Sequence, residues 1–396
     1  MNASQEIVVD SPDSLDACCK HLSQCATIGL DTEFVGEQSY HPELCLVQIA
    51  TEAAIYLVDP FAFEKLDSLW NILVDPSRTI VVHAGREEVR LCHLACGKSP
   101  ANLVDLQIAA GLVGYAYPLG HGPLIMNVLG IKIKKGETLT EWRRRPLSPS
   151  QMHYAFDDVR YLLPVWEKLE RKMIDLNRQT WAMEEFARLR EQSIPEAPTI
   201  ESLGEKWRKL KGLGGLDRKK LAMVRELYQW REEKALAWDR PARVIVRDDL
   251  LVEIAHRQPK SAQDLSVIRG LAHKFLDELF AVFQHVQTMS VDSYPIYTEK
   301  EQDSMPVTLA IGLLTAVLPD FAARNQIAPN LVSTNAELRR LVRAFVDGDV
   351  GKADLQLARG WRSEAVLPHF LALLEGKRGL RIADIRSATP LEYRDF

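Results

Sequence analysis

The chain has 396 residues, of which 46% are hydrophobic and 26% are charged, and its net charge is −5. This length exceeds what one hydrophobic core usually serves, so we expect two or three domains of ordinary globular composition. No stretch resembles a membrane span, and the N-terminal residues lack the basic start and apolar centre of a signal peptide. We therefore expect a soluble, cytoplasmic protein without membrane association.

The charge is distributed unevenly along the chain. Residues 1–170 contain 14 Lys and Arg against 22 Asp and Glu, whereas residues 171–396 contain 35 against 32. The net charge is thus −8 in the first part and +3 in the second. An acidic first part and a mildly basic second part suit a carboxylate metal site joined to modules that contact phosphate.

The cysteines give no sign of a disulfide framework, because all six lie within residues 18–96 of a long chain. Cys92, His93 and Cys96 have the spacing of metal ligands. A closed zinc site needs a second pair of ligands, and no second Cys or His pair matches them. We therefore interpret these cysteines as buried thiols on a helix.

Apolar runs separated by turn residues predict alternating strands and helices in the first half. The predicted strands are Glu6–Val9, Ala26–Phe34, Leu44–Ala50, Ala54–Val58 and Thr79–Val82, and the predicted helices are Pro12 to about Gln24, Phe63–Leu73 and Glu87–Ala95. Three consecutive strands followed by alternating helices and strands indicate an α/β domain with a mixed sheet flanked by helices.

The remainder of the chain is predicted to be helical. A helix begins near Ser148 and Pro149, and Pro164 is expected to kink it because proline lacks a backbone donor. The longest later run that resembles a strand is Arg243–Val246. Breaks at 194–199, 212–215 and 290–303 lead us to predict an α/β domain over 1–195 and two all-α helical bundles over 212–290 and 300–396.

The first motif with chemical potential is Asp31-Thr32-Glu33-Phe34, at the end of a predicted strand. Side chains alternate across a strand, so Asp31 and Glu33 project to one face, about 7 Å apart. Two carboxylates on one face of a buried strand repel each other and are costly to desolvate unless cations lie between them. Alone, the tetrapeptide is also compatible with solvated acids at a strand end.

The second motif, residues 83–88, follows the strand Thr79–Val82 and runs from His83 to Glu87 and Glu88. The turn into the next helix places these acids near the carboxyl edge of the sheet, where open α/β sheets usually carry their sites. The alternative is that two acids in a first helical turn only favour the helix dipole.

The third motif is on the predicted helix that starts near Ser148. Tyr154 and Asp158 are four residues apart and therefore neighbours on one helical face, whereas Asp157 points about a quarter-turn away. If this face meets Asp31 and Glu33, the oxygen ligands suit Mg²⁺ or Mn²⁺. Two such ions about 4 Å apart hold both the attacking and the leaving oxygen of a phosphodiester. Tyr154 would then orient or deprotonate the attacking water.

The order of the three motifs resembles that of the DEDD exonucleases. The neighbouring segments SYHPELCLVQIA, LVDLQIAA and EWRRRPLSPSQMHYAFDDVRYLLPVW are similar to the ribonuclease D family in particular, and this likeness covers Ile7–Glu170. Residues 216–284 resemble the helicase-and-ribonuclease-D C-terminal domain. Residues 303–380 resemble the weaker second copy that often follows it.

The resemblance implies a ribonuclease H-like fold and hydrolysis of single-stranded RNA from its 3′ end, with release of nucleoside 5′-monophosphates. Precursors of tRNA with short 3′ trailers are the typical substrates of the family, and we expect a monomer with two Mg²⁺ or Mn²⁺ ions. Asp31, Glu33 and Asp158 match the metal ligands of the family and Tyr154 matches its catalytic tyrosine. The family's contacts with the terminal nucleotides fall on Phe34 and His83.

Glu88 departs from the family, which has aspartate at this position. Glutamate keeps the charge but adds a methylene and one more rotor, and Mg²⁺ tolerates irregular ligation poorly. We therefore expect Glu88 to act as the fourth metal ligand, with weakened binding at the second metal and a preference for Mn²⁺.

Further RNA contacts are predicted from basic and aromatic residues. Arg143 and Arg145 can hold the phosphate backbone and Trp142 can stack on a base, although a solvated basic turn with a half-buried tryptophan fits equally well. Basic residues at 206–211 and 218–220 are expected to contact phosphate. Three later tryptophans lie in apolar periodic helices and are expected to be core residues, namely Trp230, Trp238 and Trp361.

Two rival functions remain open at this point. A DNA 3′→5′ exonuclease would keep the fold and change the substrate, although no helicase or polymerase motif, such as a phosphate-binding G-x-x-x-x-G-K-[ST] loop, is present. The other rival is an RNA-binding protein whose nuclease site has been weakened through Glu88.

Overall fold

A computed structural model describes residues 5–36, 39–133, 141–194, 205–296 and 303–396. The first part contains six strands and eight helices in the described residues. These are β1 (Gln5–Val9), α1 (Pro12–Leu22), β2 (Thr27–Val35), β3 (Glu43–Ala50), β4 (Ala54–Val58), α2 (Asp67–Leu73), β5 (Thr79–Val82), α3 (Arg86–Cys96), β6 (Asn102–Asp105), α4 (Leu106–Leu112), α5 (His121–Leu129), α6 (Pro149–Arg160), α7 (Leu162–Asp175) and α8 (Gln179–Ser193).

The later part is mainly helical and ends in two strands. Its described elements are α9 (Arg218–Ala237), α10 (Ala242–Ile245), α11 (Asp248–Arg257), α12 (Ala262–Leu265), α13 (Leu276–Thr288), α14 (Met305–Arg324), α15 (Pro329–Val332), α16 (Asn335–Val346), α17 (Gly360–Ala365), α18 (Leu367–Leu374), β7 (Arg378–Ile382) and β8 (Leu391–Asp395). Short 3₁₀ turns occur at Pro60–Ala62, Lys206–Lys209, His273–Phe275, Val291–Ser293 and Gln356–Ala358.

The six strands form one mixed sheet in the order β1-β4-β3-β2-β5-β6. β4 pairs antiparallel with β3 and parallel with β1, and β5 pairs parallel with both β2 and β6. The predicted mixed sheet flanked by helices is therefore confirmed. β2 lies inside the sheet rather than at its edge, so it has a neighbouring strand on each side, and its residues 28–30 are buried.

The helix that carries Tyr154 begins where the sequence indicates, because Ser148 caps it. The Ser148 hydroxyl accepts a hydrogen bond from the Gln151 backbone N–H, and the Gln151 side chain in turn accepts one from the Ser148 backbone N–H. The kink expected at Pro164 is wrong in its position. The helix breaks at Tyr161 instead, and Pro164 lies in the first turn of α7, where its missing N–H leaves no hydrogen bond unmade.

Two further expectations about the second half are also corrected. The run Arg243–Val246 forms the short helix α10 and its C-cap rather than a strand. The chain ends in the antiparallel hairpin β7–β8, which the periodicity of the sequence did not indicate. This hairpin packs by polar contacts: the buried carboxylate of Asp320 accepts hydrogen bonds from the Tyr393 hydroxyl at 2.9 Å and from the Leu391 backbone N–H at 3.0 Å.

The described residues form two compact units. One contains residues 5–33, 44–133, 141–194 and 303–396, and the other contains 34–36, 39–43 and 205–296. The predicted linker at 194–199 lies outside the described residues except for Ile194, and the predicted division into three domains stays a prediction. The glycine-rich break is a turn in which Gly212 and Gly215 have φ of +86° and +85°.

One helix departs from the expectation that nothing resembles a membrane span. Met305–Arg324 is long and apolar enough to cross a membrane by length and composition, with a mean hydropathy of 1.6 over its best window. It contains Pro319 and the buried Asp320, whose side chain pairs with Arg324 at 2.7 Å. Helices in the cores of soluble proteins pass the same test, so the composition of α14 by itself decides nothing about a membrane.

Candidate active site

The interior strand β2 presents the first pair of acids. Asp31 and Glu33 lie two residues apart in Thr27–Val35 and are both partly buried, whereas Thr32 between them is 7% exposed. The Asp31 carboxylate accepts a hydrogen bond of 2.9 Å from the Thr32 backbone N–H. Strand alternation thus directs both carboxylates to one face, as the sequence predicts.

A tight turn after β5 brings in Glu88. Ala84 has a φ of +59°, and a Cβ on Gly85 would lie 2.2 Å from Val82 Cγ2, so the turn requires glycine at position 85. The Gly85 backbone N–H donates a 2.8 Å hydrogen bond to the buried carboxylate of Asp105. This anchor sets the start of α3 so that Glu88 faces inward and is 5% exposed.

The two acids of α3 therefore have different surroundings. Glu87 forms an ion pair with Arg90 at 3.3 Å on the partly exposed side of the helix. Glu88 instead accepts a 2.8 Å hydrogen bond from the Thr32 hydroxyl on β2. Glu87 needs no role beyond favouring the helix dipole. The buried Glu88, in contrast, belongs to the cluster of acids around Asp31.

Helix α6 adds Tyr154 and Asp158. The Tyr154 hydroxyl donates a hydrogen bond to the Asp158 carboxylate, as their spacing of four residues predicts. Asp157 turns away and pairs with Arg160 at 2.9 Å. The structure thus brings together Asp158 and Tyr154 with the acids of β2 and α3.

Electrostatics shows that these acids are neighbours. Burial raises the pKa of Asp31 well above its ordinary value, and the charges of Glu88, Asp158 and Glu33 raise it further. Burial together with the charges of Asp158 and Glu88 raises the pKa of Glu33 to about 8. Burial is also the main reason why the pKa values of Glu88 and Asp158 rise to about 7. The four carboxylates thus repel one another in a poorly solvated place.

The donor set fits divalent cations, although the side chains do not converge on one point. Within the part of the chain that the structure describes, no three His, Cys, Asp or Glu side chains form a preformed metal-binding group. The four carboxylates, of which Glu88 is buried and the other three are partly buried, offer hard oxygen ligands, and their repulsion is relieved only by protonation or by cations. Asp31, Glu33, Glu88 and Asp158 are therefore the residues able to hold such ions.

Sequence reasoning missed two neighbours of this group. Thr32 gave no signal beyond its place between two acids, because its hydrogen bond joins residues 56 positions apart. His121 lies with Nδ1 3.8 Å from Asp158 Oδ1, and its ring centroid is 5.4 Å from that of His83. Burial lowers the pKa of His121 to about 3, so its imidazole is neutral near pH 7.

The residues predicted to contact nucleotides differ in their burial and in the compact unit to which they belong. Phe34 lies near the end of β2, half-buried, in the same compact unit as residues 205–296. The imidazole of His83 is partly buried, and its Nε2 lies 2.9 Å from the Leu119 carbonyl oxygen. The indole of Trp142 is only 7% exposed and lies beside Tyr154, with ring centroids 6.1 Å apart. Their roles toward RNA stay predictions.

The predicted phosphate-binding arginines include one that is already engaged. Arg145 Nη2 donates to Asp59 Oδ1 at 2.7 Å and to the Cys45 carbonyl at 2.7 Å, and its guanidinium lies 4.7 Å from the Phe61 ring centroid. These contacts give Arg145 a structural role that fixes the turn before α6. Arg143 is partly buried, and its backbone N–H donates to the Glu141 side chain at 3.3 Å.

The thiols behave as expected. All six cysteines are free, with Cys18, Cys45 and Cys92 buried and the other three partly buried. Cys92 and Cys96 lie on α3, where the Cys96 thiol donates to the Cys92 carbonyl at 3.2 Å. The interpretation as buried thiols on a helix is thus confirmed for Cys92, whereas Cys96 lies on the same helix but is only partly buried.

Two known protein families and several known proteins are similar to this chain in sequence. The 3′-5′ exonuclease family matches residues 7–174, and the HRDC domain matches residues 220–284. The chain is 30% identical over 383 residues to ribonuclease D of Acidiphilium cryptum, with 95% of each chain covered. It is 34% identical over 261 residues to ribonuclease D of a Shewanella species, with 66% of each covered.

A comparison with solved structures also identifies a ribonuclease D. The crystal structure of Escherichia coli RNase D, described as an exoribonuclease involved in structured RNA processing, matches with a TM-score of 0.81 at 27% identity. That match covers 95% of this chain and 99% of the other. The mixed sheet with its flanking helices and the matched exonuclease family define a 3′-5′ exonuclease of ribonuclease H-like fold. The chain belongs to the ribonuclease D family, and its activity is that of a 3′-5′ exoribonuclease.

Proposed function

We propose that this exoribonuclease trims the 3′ trailers of tRNA precursors by two-metal hydrolysis and releases nucleoside 5′-monophosphates. The observation that carries the proposal is the group of Asp31, Glu33, Glu88 and Asp158, in which burial raises all four pKa values and repulsion by the other acids raises those of Asp31 and Glu33 further. Such a group is stabilised by divalent cations, and Mg²⁺ or Mn²⁺ suits its oxygen ligands. Bound there, two ions would supply charge stabilisation to the attacking and leaving oxygens of the phosphodiester.

Tyr154 positions water rather than removing its proton. Burial and the charges of Asp158, Glu33 and Asp31 raise the pKa of the Tyr154 phenol above its ordinary value, so the hydroxyl stays protonated near pH 7. Its proton is directed to Asp158, which leaves the lone pairs of the phenol oxygen to accept a hydrogen bond from the attacking water. The neighbouring Trp142 limits the movement of the ring.

The substrate and setting complete the proposal. Residues that the family resemblance assigns to the terminal nucleotides, Phe34 and His83, would hold the 3′ end, with Trp142 and Arg143 contributing to the path of the strand and Arg145 fixing the turn that carries them. We propose a monomer that acts in the cytoplasm on RNA. The rival DNA substrate keeps the same carboxylates, so only a comparison of substrates separates the two.

The test uses the full chain and RNA labelled at its 5′ end, with a tRNA precursor carrying a short 3′ trailer as the natural-type substrate. We expect shortening one nucleotide at a time with Mg²⁺ or Mn²⁺, and no shortening in chelator. A single-stranded DNA of the same sequence serves as the comparison. Preferential shortening of DNA would support the rival, and RNA binding without hydrolysis in either metal would support a weakened nuclease.

A further inference from the structure

The surface around Trp238, at the end of α9, contains an exposed aromatic ring with cations beside it. Trp238 is 43% exposed, although the apolar periodicity of α9 predicts a core residue. Lys274 Nζ lies 4.5 Å and Lys234 Nζ 5.1 Å from the centre of its ring. The expectation that Trp238 is buried is thus wrong, because it is the C-cap of the helix and extends past the last covered turn.

The ring is held from one side by the core of its own unit. Phe275 is 2% exposed, and its ring centroid lies 5.5 Å from that of Trp238 at an interplanar angle of 36°. The other two tryptophans behave as predicted: Trp361 is 2% exposed, and Trp230 is partly buried and donates its indole N–H to Glu278 at 3.0 Å. An exposed indole supported by a buried ring is a rigid platform for stacking.

The two lysines are not equivalent. Lys234 forms an ion pair with Glu278 at 2.7 Å, which fixes its ammonium group. Lys274 is exposed, and its ammonium group has no carboxylate partner among the described residues. Asp239, the acid next to Trp238, has its Oδ1 occupied by the backbone N–H groups of Tyr40 and His41, each at 3.1 Å. Lys274 is therefore the cation beside the ring that is available to a ligand, because Lys234 is paired and the nearby Asp239 is directed to the backbone of Tyr40 and His41.

We propose that Trp238 and Lys274 form a binding site for single-stranded RNA, in which a base stacks on the indole and Lys274 contacts the adjacent phosphate. Stacking on an aromatic ring together with a nearby cation is the general means of holding an unpaired strand without reading its sequence. An exposed cation–π contact is weaker than base stacking, so a base can take the place of Lys274 over the ring. The site extends the proposed function and depends on it for the identity of the ligand.

The first measurement is the affinity of the full chain for an unstructured RNA of about 16 nucleotides, the upper end of single-module site sizes, in chelator. We expect Trp238→Ala to raise Kd about tenfold, since one lost stacking contact has an effect of this order, and Trp238→Phe to retain most of the affinity. Val267→Ala, which shortens another exposed apolar side chain of the same unit, should leave Kd unchanged. A Kd for folded Trp238→Ala within about twofold of the parent would overturn the proposal.

The second measurement tests the charge and does not depend on the tryptophan variant being folded. Lys274→Gln should lower the slope of log Kd against log salt by about 0.7, the value for one phosphate contact on a single strand. Lys352→Gln is the matched control, because Lys352 is highly exposed but already pairs with Asp349 at 3.0 Å. Equal slopes for Lys274→Gln and the parent would remove Lys274 from the site.

A third comparison separates this site from the proposed function. Fully paired duplex RNA offers no free base faces, so Trp238→Ala and the parent should bind it equally, and an equal loss on duplex and single strand would exclude stacking. The parent is also incubated with the same single-stranded RNA and Mn²⁺. Absence of 3′ shortening there would count against the proposed function, whereas shortening with unchanged binding by Trp238→Ala would count only against this site.

Discussion

The acids of the candidate active site and the buried Glu185 lie in the same compact unit, and their surroundings are opposite. At the candidate active site, Asp31, Glu33, Glu88 and Asp158 face one another, and their pKa values are raised. On α8, Glu185 is 2% exposed, and hydrogen bonds from Arg362 and Arg188 outweigh its burial and lower its pKa. The Trp361 indole N–H also donates to Glu185 at 2.9 Å.

The difference shows how burial separates structural from functional acids. Glu185 has its charge matched by arginine and joins α8 to α17, where Trp361 also stacks on Trp181 with ring centroids 4.4 Å apart. Among the described residues, no lysine or arginine forms an ion pair with the carboxylates of the active site, so their charge is left for external cations. Breaking the contacts of Glu185 should therefore lower stability, whereas removing an acid of the active site should lower catalysis.

The largest effect is expected from Asp158→Asn, which should reduce hydrolysis to background because it removes a charged ligand from the group. Stability in chelator should be kept or increased, since one repelled charge is gone. Release of nucleotides and thermal unfolding are the two measurements. Asp157→Asn is the matched control on the same helix, and near-parent turnover by Asp158→Asn would show that the site is assigned wrongly.

Tyr154→Phe should lower the rate at saturating RNA by about 10²–10⁴-fold, the usual effect of losing a group that positions or transfers a proton. Metal affinity, measured by Mn²⁺ titration, should change little because the four carboxylates remain. An unchanged rate would mean that another group holds the water.

Arg362→Met should leave catalysis per folded molecule unchanged and lower the free energy of unfolding by about 3–5 kcal/mol, because it leaves Glu185 buried with a broken ion pair. Arg359→Met is the matched control: Arg359 pairs with Asp354 at the surface, where such a pair contributes about 0–1 kcal/mol. The free energy of unfolding of both variants is measured by denaturant titration. Equal losses would contradict the structural role assigned to the Glu185 contacts.

The two sites predict opposite dependences of stability on pH in chelator. The pKa values of Glu33, Glu88 and Asp158 are about 8, 7 and 7 in the folded chain, above the ordinary 4.5 and 3.8, so the folded state holds more protons in between. Their contribution to stability is present below the ordinary values and is lost as pH rises toward 8. Glu185 has a lowered pKa, so its contribution is lost as pH falls through that lowered value.

The free energy of unfolding is therefore expected to decline from mildly acidic to alkaline pH, and Mn²⁺ should reverse the decline. Asp158→Asn should make the decline smaller, whereas Arg362→Met should leave this part of the profile unchanged. Denaturant titrations at several pH values, with and without Mn²⁺, measure these effects. A profile that neither metal nor Asp158→Asn alters would mean that the acids do not act as a group.

The smallest effect concerns Glu88 and its partner Thr32. We expect weakened binding at the second metal, and Glu88→Asp should raise activity in Mg²⁺ more than in Mn²⁺. The hydrogen bond from the Thr32 hydroxyl fixes the longer side chain, so Thr32→Val should lower activity in Mg²⁺ severalfold, and Thr32→Ser should restore it. Because aspartate is shorter, Thr32→Val should have less effect in the Glu88→Asp chain, and additive effects would show that the two residues act independently.

Much of the candidate site was predictable because it depends on local geometry. Strand alternation places Asp31 and Glu33 together, and helical spacing places Tyr154 beside Asp158. The sequence did not decide whether Glu88 belongs to the site or only favours the helix dipole. Only the turn at Gly85, anchored by the distant Asp105, turns it inward.

The sequence by itself determined the order of the first five strands and the first three helices, the motif acids and the family, since these depend on periodicity and on neighbours a few residues apart. Only the tertiary structure decided which polar side chains find partners far along the chain, because such pairs leave no periodic signal. Arg145 is held by Asp59, and Glu185 by Arg362. The exposure of Trp238 was also decided by the tertiary structure. The apolar pattern of a helix defines which face is buried, but it does not show at which residue the elements that cover this face end.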